Sequence, residues 1–258
     1  MSLKVSIITA TYNSASTIAD TINSVAEQTY PYIEHLIVDG FSKDNTLDIV
    51  KSYTDERIKI LSGKDKGIYD AMNKGIDAAT GDIIGILNSD DFYASSKIIE
   101  QVVGVFKQYS VDTVYGDLDF VDPIQTSKVV RRWISGEFYR PNFTKGWMPP
   151  HPTFFVKREV YEKYGQFRLD MGSSADYELM LRFLYKNQVS THYLHRIMIH
   201  MRMGGASTAS LGAHAKANQY DRRAWEVNGL QPHWYTLHMK PLRKVLQYFP
   251  SLYKVPHG

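Results

Sequence analysis

A chain of 258 residues without cysteine excludes a disulfide framework and a thiolate metal site, and 43% hydrophobic residues exclude global disorder. A net charge of +3 is too small to argue for a nucleic-acid partner, and no run of about eighteen apolar residues offers a membrane span. Met1-Ser2-Leu3-Lys4 enters a strand pattern directly, with no h-region or cleavage site, so a cytoplasmic protein is expected.

Short apolar runs punctuate the first hundred residues: KVSIITA, IEHLIVD, IKIL and DIIGILN. Each is rich in β-branched residues and followed by a polar or glycine-containing turn, the pattern of a buried strand. Helical spacing lies between them, with Ile18, Ile22 and Val25 in Ser16 to Gln28 and Leu47, Ile49 and Val50 in Asn45 to Tyr53. Ile68 to Ala79 carries Ile68, Met72, Ile76 and Ala79 on one stripe. Strand-helix alternation predicts a doubly wound α/β fold, its mostly parallel central sheet covered by helices on both faces. Ligands of such sheets bind beyond the carboxyl ends of the strands.

After about residue 110 the pattern changes. DTVYGDLDFVD and KVVRRWIS read as strands, and Arg140 to Phe155, with its four prolines, as an ordered or lid-like loop. Asp176 to Tyr185 reads as a helix, VSTHYLHRIMIHMRM as a long strand or strand pair, and Ser207 to Asn228 as a helix. The expected organisation is a ligand-binding half over 1–110, a second half of the same domain over 111–230, and a C-terminal helical extension over 231–258.

Carboxylates gather at the strand ends: Asp39 after the second, Asp65 after the third, Asp90 and Asp91 after the fourth. Any one of them could be a helix cap or an Asx-turn, as Asp44 is expected to be. Several on one sheet edge repel one another, and a divalent cation resolves that repulsion. Mg²⁺ or Mn²⁺ takes one or two carboxylates and fills its other positions with phosphate oxygens and water.

VSIITATYNSASTIADTINSVAEQTYPYIEHLIVDGFSKDNT resembles the opening of the family 2 glycosyltransferases of the GT-A fold, of the kind found in bacterial polysaccharide biosynthesis. DKGIYDAMNKGIDAATGDIIGILNSDDFY resembles their central block with its DxD-type motif, and HPTFFVKREVYEKYGQF and SSADYELMLRF extend the likeness thinly. The resemblance implies an inverting, metal-dependent transfer from a nucleotide-diphosphate sugar, of uridine or thymidine, to a saccharide or lipid-linked acceptor. Thr11 and Tyr12 would lie beside the nucleobase, and Asp39 would accept its imide N–H. Asp65 and Asn73 match polar positions near base and ribose, and Asp90 matches the metal-binding acid. Asn88 stands where the family more often has its first acid, beside Ser89, and can hydrogen-bond ribose hydroxyls.

Such a transfer needs a group to take the acceptor's proton. Asp176 falls at the family's Glu-Asp motif, with Ala175 in place of Glu; it could equally be a first-turn acid favoured by the helix dipole. Glu178 is the fallback. Trp147 and His151, in the proline-rich stretch, suit an acceptor platform, though a lone His is usually structural. His200 and Arg202 precede Gly204-Gly205 and could contact the diphosphate under a closing lid, or simply face solvent at a strand end. Leu242, Val245, Leu246 and Phe249 share a helical face beside Lys240, Arg243 and Lys244. A basic amphipathic helix over 237–249 fits an anionic membrane surface, its own domain or a homodimer interface. A nucleotidyltransferase and an inactive nucleotide-sugar-binding module are the alternatives. The first is disfavoured because TATYNSAST has neither Gly nor Lys, and a dehydrogenase because G-x-G-x-x-G is missing.

Overall fold

The computed structural model describes residues 2–204 and 211–247. Strands β1 (Val5–Thr11), β2 (Ile33–Asp39), β3 (Ile58–Ser62) and β4 (Ile83–Ile86) run parallel in the order β3-β2-β1-β4. Helices α1 (Ile18–Ala26), α2 (Thr46–Lys51), α3 (Ile68–Ala78) and α4 (Ile98–Tyr109) cover the two faces. Successive strand residues point to opposite faces, so each strand feeds two cores. Ile8, Ala10, Leu36 and Val38 meet Ala71, Met72 and Ile76 of α3 on one side. On the other, Val5 and Ile7 join Val102, Val103 and Phe106 of α4, while Ile37 packs with Ile18, Ile22 and Val50. Gly75 permits the close approach of α3, since a Cβ there would lie 2.4 Å from Ile8. β1, β2 and β4 are buried throughout, but β3 is not: as the outermost strand it has only half-buried and exposed residues.

The second half extends the same sheet through β5 (Phe92–Tyr93), β6 (Thr113–Val121), β7 (Val129–Trp133), β8 (Phe155–Lys157) and β9 (Thr191–Arg202). β8 lies antiparallel between β4 and β6 and so joins the halves; β7 pairs antiparallel with the end of β6. β9 is one twelve-residue strand, parallel to β6 and antiparallel to β5. Its last residues thereby reach the segment that follows β4.

The remaining helices are α5 (Arg158–Tyr164), α6 (Ala175–Met180), α7 (Leu211–Val227) and α8 (Thr236–Leu246). Of the two forms expected for Arg140 to Phe155 the ordered one holds: it makes 3₁₀ turns at Arg140–Lys145 and His151–Thr153 and sends Phe143 and Trp147 into the core. One expectation changes here. The helix expected over Asp176 to Tyr185 stays α only to Met180 and continues as a π turn over Leu181–Lys186. Among the described residues no helix is long and apolar enough to cross a membrane.

His35 yields a pH prediction. The side chain is 1% exposed and its Nε2 lies 2.9 Å from Thr9 Oγ1. Burial holds its pKa down to about 3 from 6.5; Asp55 opposes that and Arg57 adds to it. Between those values the unfolded chain binds the extra proton. The neutral imidazole therefore contributes stability fully above pH 6.5, and that contribution is lost as pH falls towards about 3. Across this window the unfolding free energy should fall more steeply than in His35→Gln, by up to about 1.4 kcal/mol per pH unit. Paired urea titrations measure the difference, and equal slopes would refute it.

Candidate functional site

β4 delivers the chain to a turn in which Asp91 N–H bonds to Asn88 O at 3.1 Å. Asp91 is fully buried, and its carboxylate accepts from Asn88 Nδ2 at 2.8 Å and from the Arg202 N–H at 3.3 Å. Thr21 of α1 donates to Asp91 O at 2.7 Å. Burial pushes the Asp91 carboxyl well above the usual range and Asp90 adds to the shift, while Asn88 and Arg202 oppose it. This explains the amide at 88: it donates a hydrogen bond to the buried Asp91, where a third carboxylate would add charge. Ser89 Oγ pairs with Ser14 Oγ at 2.8 Å.

Asp90 lines a cleft of about 420 Å³ with Ser16, Thr17, Asp20, Ile124 and Arg202. Burial pushes its carboxyl upwards and the Arg202 charge opposes the shift. Arg202, 8% exposed, donates to Asp90 O at 2.6 Å, pairs with Asp20 and lies 5.1 Å above Phe92. Its guanidinium is thus engaged with the turn itself. His200 packs against the same Phe92 ring at 5.3 Å with its buried Nδ1 unpartnered, and burial pushes its pKa down. Gly204 has φ +102°, and Gly205 lies outside the described residues. Asp20 and Ile124 escaped the sequence reading, because nothing local marks a helix acid or a hairpin tip as neighbours of Asp90.

Among the described residues no group of three or more His, Asp or Glu gathers into a metal cage. The donor set nevertheless fits Mg²⁺ or Mn²⁺ held jointly with a diphosphate. Asp90 supplies one carboxylate at the cleft, and Asp91 is committed behind it.

At the ends of β1 and β2, Thr11 and Asp39 are ladder partners. Thr11 Oγ1 is buried without a partner, and Tyr12 is 56% exposed. Asp39 is fully buried, and its carboxylate accepts from the N–H groups of Phe41 and Ser42 at 3.1–3.3 Å and from Ser62 Oγ at 3.0 Å. Its present work is to hold the turn that sets Phe41 at φ 63°. Asp65 is more open; its Oδ2 lies where a Cβ on Gly40 would be 2.4 Å away, so the third strand's acid sits against the residue that follows Asp39. Asn73 is not at this edge's disposal: Nδ2 donates to Phe167 O at 2.9 Å and Oδ1 accepts Phe167 N–H at 3.0 Å. It fastens α3 to the second half. Asp44 is the turn acid expected, accepting from Thr46 N–H and Ala15 N–H, each at 3.1 Å.

Asp176 is the second residue of α6, half-buried, with Oδ1 accepting the Tyr177 N–H at 2.8 Å. Its charge is felt by two rings. Burial, and then Asp176, push the Tyr69 phenol well up; burial pushes His151 down and Asp176 opposes that. Both rings contact Phe167, at 5.4 and 5.5 Å. The fold therefore assembles Asp176, His151 and Tyr69 from three distant segments. Tyr69 was missed because it sits beside the apolar stripe of α3 without belonging to it. Trp147 is corrected: it is 6% exposed, packs on Phe143 and Phe138, and donates from Nε1 to Ser135 O at 2.8 Å, so it is core rather than platform. Glu178 is also excluded as a fallback base. It is 1% exposed, held bidentate by Arg182 at 3.0 and 2.9 Å, and bonded by Asn228 at 2.9 Å.

Residues 6–165 match the family described as Glycosyl transferase family 2. A PGL/p-HBAD biosynthesis glycosyltransferase of Mycobacterium bovis (strain BCG / Pasteur 1173P2) is 30% identical over 207 residues, covering 78% of each chain. The fold is similar to that of S. aureus TarS 1-349 in complex with UDP-GlcNAc, with a TM-score of 0.69 at 19% identity, over 96% of this chain and 73% of that one. It is also similar to the mannosyltransferase PcManGT from Pyrobaculum calidifontis in complex with GDP-Man and Mn²⁺. There the TM-score is 0.63 at 20% identity, covering 93% and 69%.

Proposed function

The chain belongs to glycosyl transferase family 2 and has the GT-A fold; from that premise we propose an inverting, metal-dependent transfer from a nucleotide-diphosphate sugar to a saccharide or lipid-linked acceptor, in cell-surface polysaccharide synthesis. The observation that carries the reading is the division of labour at the end of β4. Asp91 is sealed by Asn88 and the Arg202 N–H, which leaves the Asp90 carboxylate at the cleft. Asp90 would hold Mg²⁺ or Mn²⁺, whose chemistry is to neutralise charge on the leaving diphosphate. Thr11, with its orphaned hydroxyl, and the exposed Tyr12 ring border the nucleobase. Asp65, the more open of the two acids, is the acceptor for a uracil or thymine imide N–H, the role first expected of Asp39, which is fully buried and holds the adjoining turn. The donor half is 1–110 and the acceptor half 111–230.

In the transfer Asp176 takes the proton of the acceptor hydroxyl. That oxygen bonds to the anomeric carbon, and the bond to the diphosphate breaks on the opposite face, its electron pair leaving with the nucleotide. His151 and Tyr69 flank Asp176 in their neutral forms and limit the water around it.

A thermal-shift panel of nucleotide diphosphates with and without Mn²⁺ tests the donor side. Uridine or thymidine diphosphate with Mn²⁺ should stabilise the fold by about 2.7 kcal/mol at a hundredfold excess over Kd. Equal stabilisation by the cytidine compound would remove the base assignment. Stabilisation indifferent to Mn²⁺ would remove the metal.

A further inference from the structure

Asn73, expected at the donor edge, belongs instead to a polar seam on α3. Tyr69, Asn73 and Asp77 follow one another at four-residue spacing and so share one face of the helix. All three bond to a single stretch of the second half. Tyr69 Oη donates to Ser173 O at 3.4 Å, and Asp77 Oδ1 accepts from Gln166 Nε2 at 2.5 Å. Between them Asn73 takes both main-chain groups of Phe167, donating to its O at 2.9 Å and accepting its N–H at 3.0 Å. Asn73 is the strong member. Its two bonds are of ordinary length and part-buried, whereas the Tyr69 bond is long and the Asp77 bond faces solvent.

Phe167 is what the seam fixes. Its side chain is 4% exposed, and its ring meets Tyr69 and His151, the two rings on which the Asp176 charge acts. From Phe167 to Asp176 the chain runs through 3₁₀ turns over Leu169–Ser174 that break at Gly172 (φ 51°), so its course depends on the partners that hold it. α6 itself is gripped from behind: Trp225 Nε1 donates to Tyr177 Oη at 2.9 Å, and Lys240 of α8 lies 3.9 Å above the Tyr177 ring. Of the apolar residues of α8, Leu237 is 5% and Leu242 59% exposed; Phe249, the last expected on that face, lies outside the described residues. Towards α3, the place of Asp176 is set by the Phe167 ring and the two rings on it. We infer that Asn73 is a positioning residue for the base: by clamping Phe167 it holds Tyr69 and His151 against Asp176, and so fixes where the carboxylate meets the acceptor hydroxyl. Asn73 touches no reacting atom, and its role rests on the assignment of Asp176 as base.

The test is a cycle of Asn73→Ala, Asp176→Asn and the double variant in the full chain. Turnover is read as nucleotide release from the uridine or thymidine diphosphate hexose that the parent consumes fastest. Asn73→Ala should lower kcat by about a hundredfold, the scale of a misplaced catalytic group, and leave the Kd of uridine diphosphate with Mn²⁺ unchanged. In the Asp176→Asn background it should cost nothing further, because a positioning residue has no work once the base is gone. Hydrogen exchange over 166–176 should rise in Asn73→Ala, with β1 to β4 unaffected. If Asn73→Ala unfolds, Asn73→Asp, which still accepts the Phe167 N–H, goes through the same cycle. Unchanged kcat, unchanged exchange over 166–176, or a loss of uridine diphosphate affinity would overturn the role. So would a full further loss in the double variant, which leaves the base assignment standing. Full turnover in Asp176→Asn alone would instead remove the base, and the role with it.

Discussion

Asp90→Ala is expected to lower kcat/KM by about a thousandfold or more and to abolish the Mn²⁺-dependent part of nucleotide binding. The size follows from the site's composition. Among the described residues no group of three or more His, Asp or Glu forms a cage, so on the proposed reading one carboxylate would make the protein's own bond to the cation. Asp91 cannot substitute, because it is fully buried and already accepts from Asn88 and the Arg202 N–H. The fold should survive the change, since Arg202 grips Asp90 through its backbone oxygen, which alanine retains. Calorimetric titration of uridine diphosphate with and without Mn²⁺, beside initial rates, separates the effects. Retention of Mn²⁺-dependent binding in Asp90→Ala would place the cation elsewhere.

Asp176→Asn should behave differently: kcat should fall by about 10²–10⁴, with nucleotide binding unchanged. The amide is nearly isosteric and can still accept the Tyr177 N–H through its oxygen, so the start of α6 is preserved. It cannot take a proton from an acceptor hydroxyl. Glu178, two residues on, offers no rescue, because Arg182 and Asn228 hold it at 1% exposure. A variant that loses nucleotide binding together with turnover would move Asp176 from base to scaffold.

Local periodicity and end chemistry were legible in the sequence. Apolar β-branched runs separated by helical stripes led to a mostly parallel sheet with acids at its strand ends; the order β3-β2-β1-β4 came from the structure. What a polar side chain does there was less legible, because its partners come from far along the chain. Asn73 looked like a ligand residue and proved to clamp Phe167, 94 residues away. Trp147 looked like a platform and proved to be core, since Ser135, Phe138 and Phe143 enclose it.

ILNSDD shows the same boundary at its sharpest. The sequence by itself determined that a buried strand carries Asn88, Asp90 and Asp91 to the carboxyl edge of the sheet, because strand formation follows from patterns repeated within a few residues. Only the tertiary structure decided that Asn88 serves Asp91 and that Arg202, 112 residues on, grips Asp90 O. It also decided that α8 docks through Leu237 and leaves Leu242 exposed. The reason is physical: burial and hydrogen-bond saturation are properties of a side chain's whole surroundings, and those exist only once distant segments have packed.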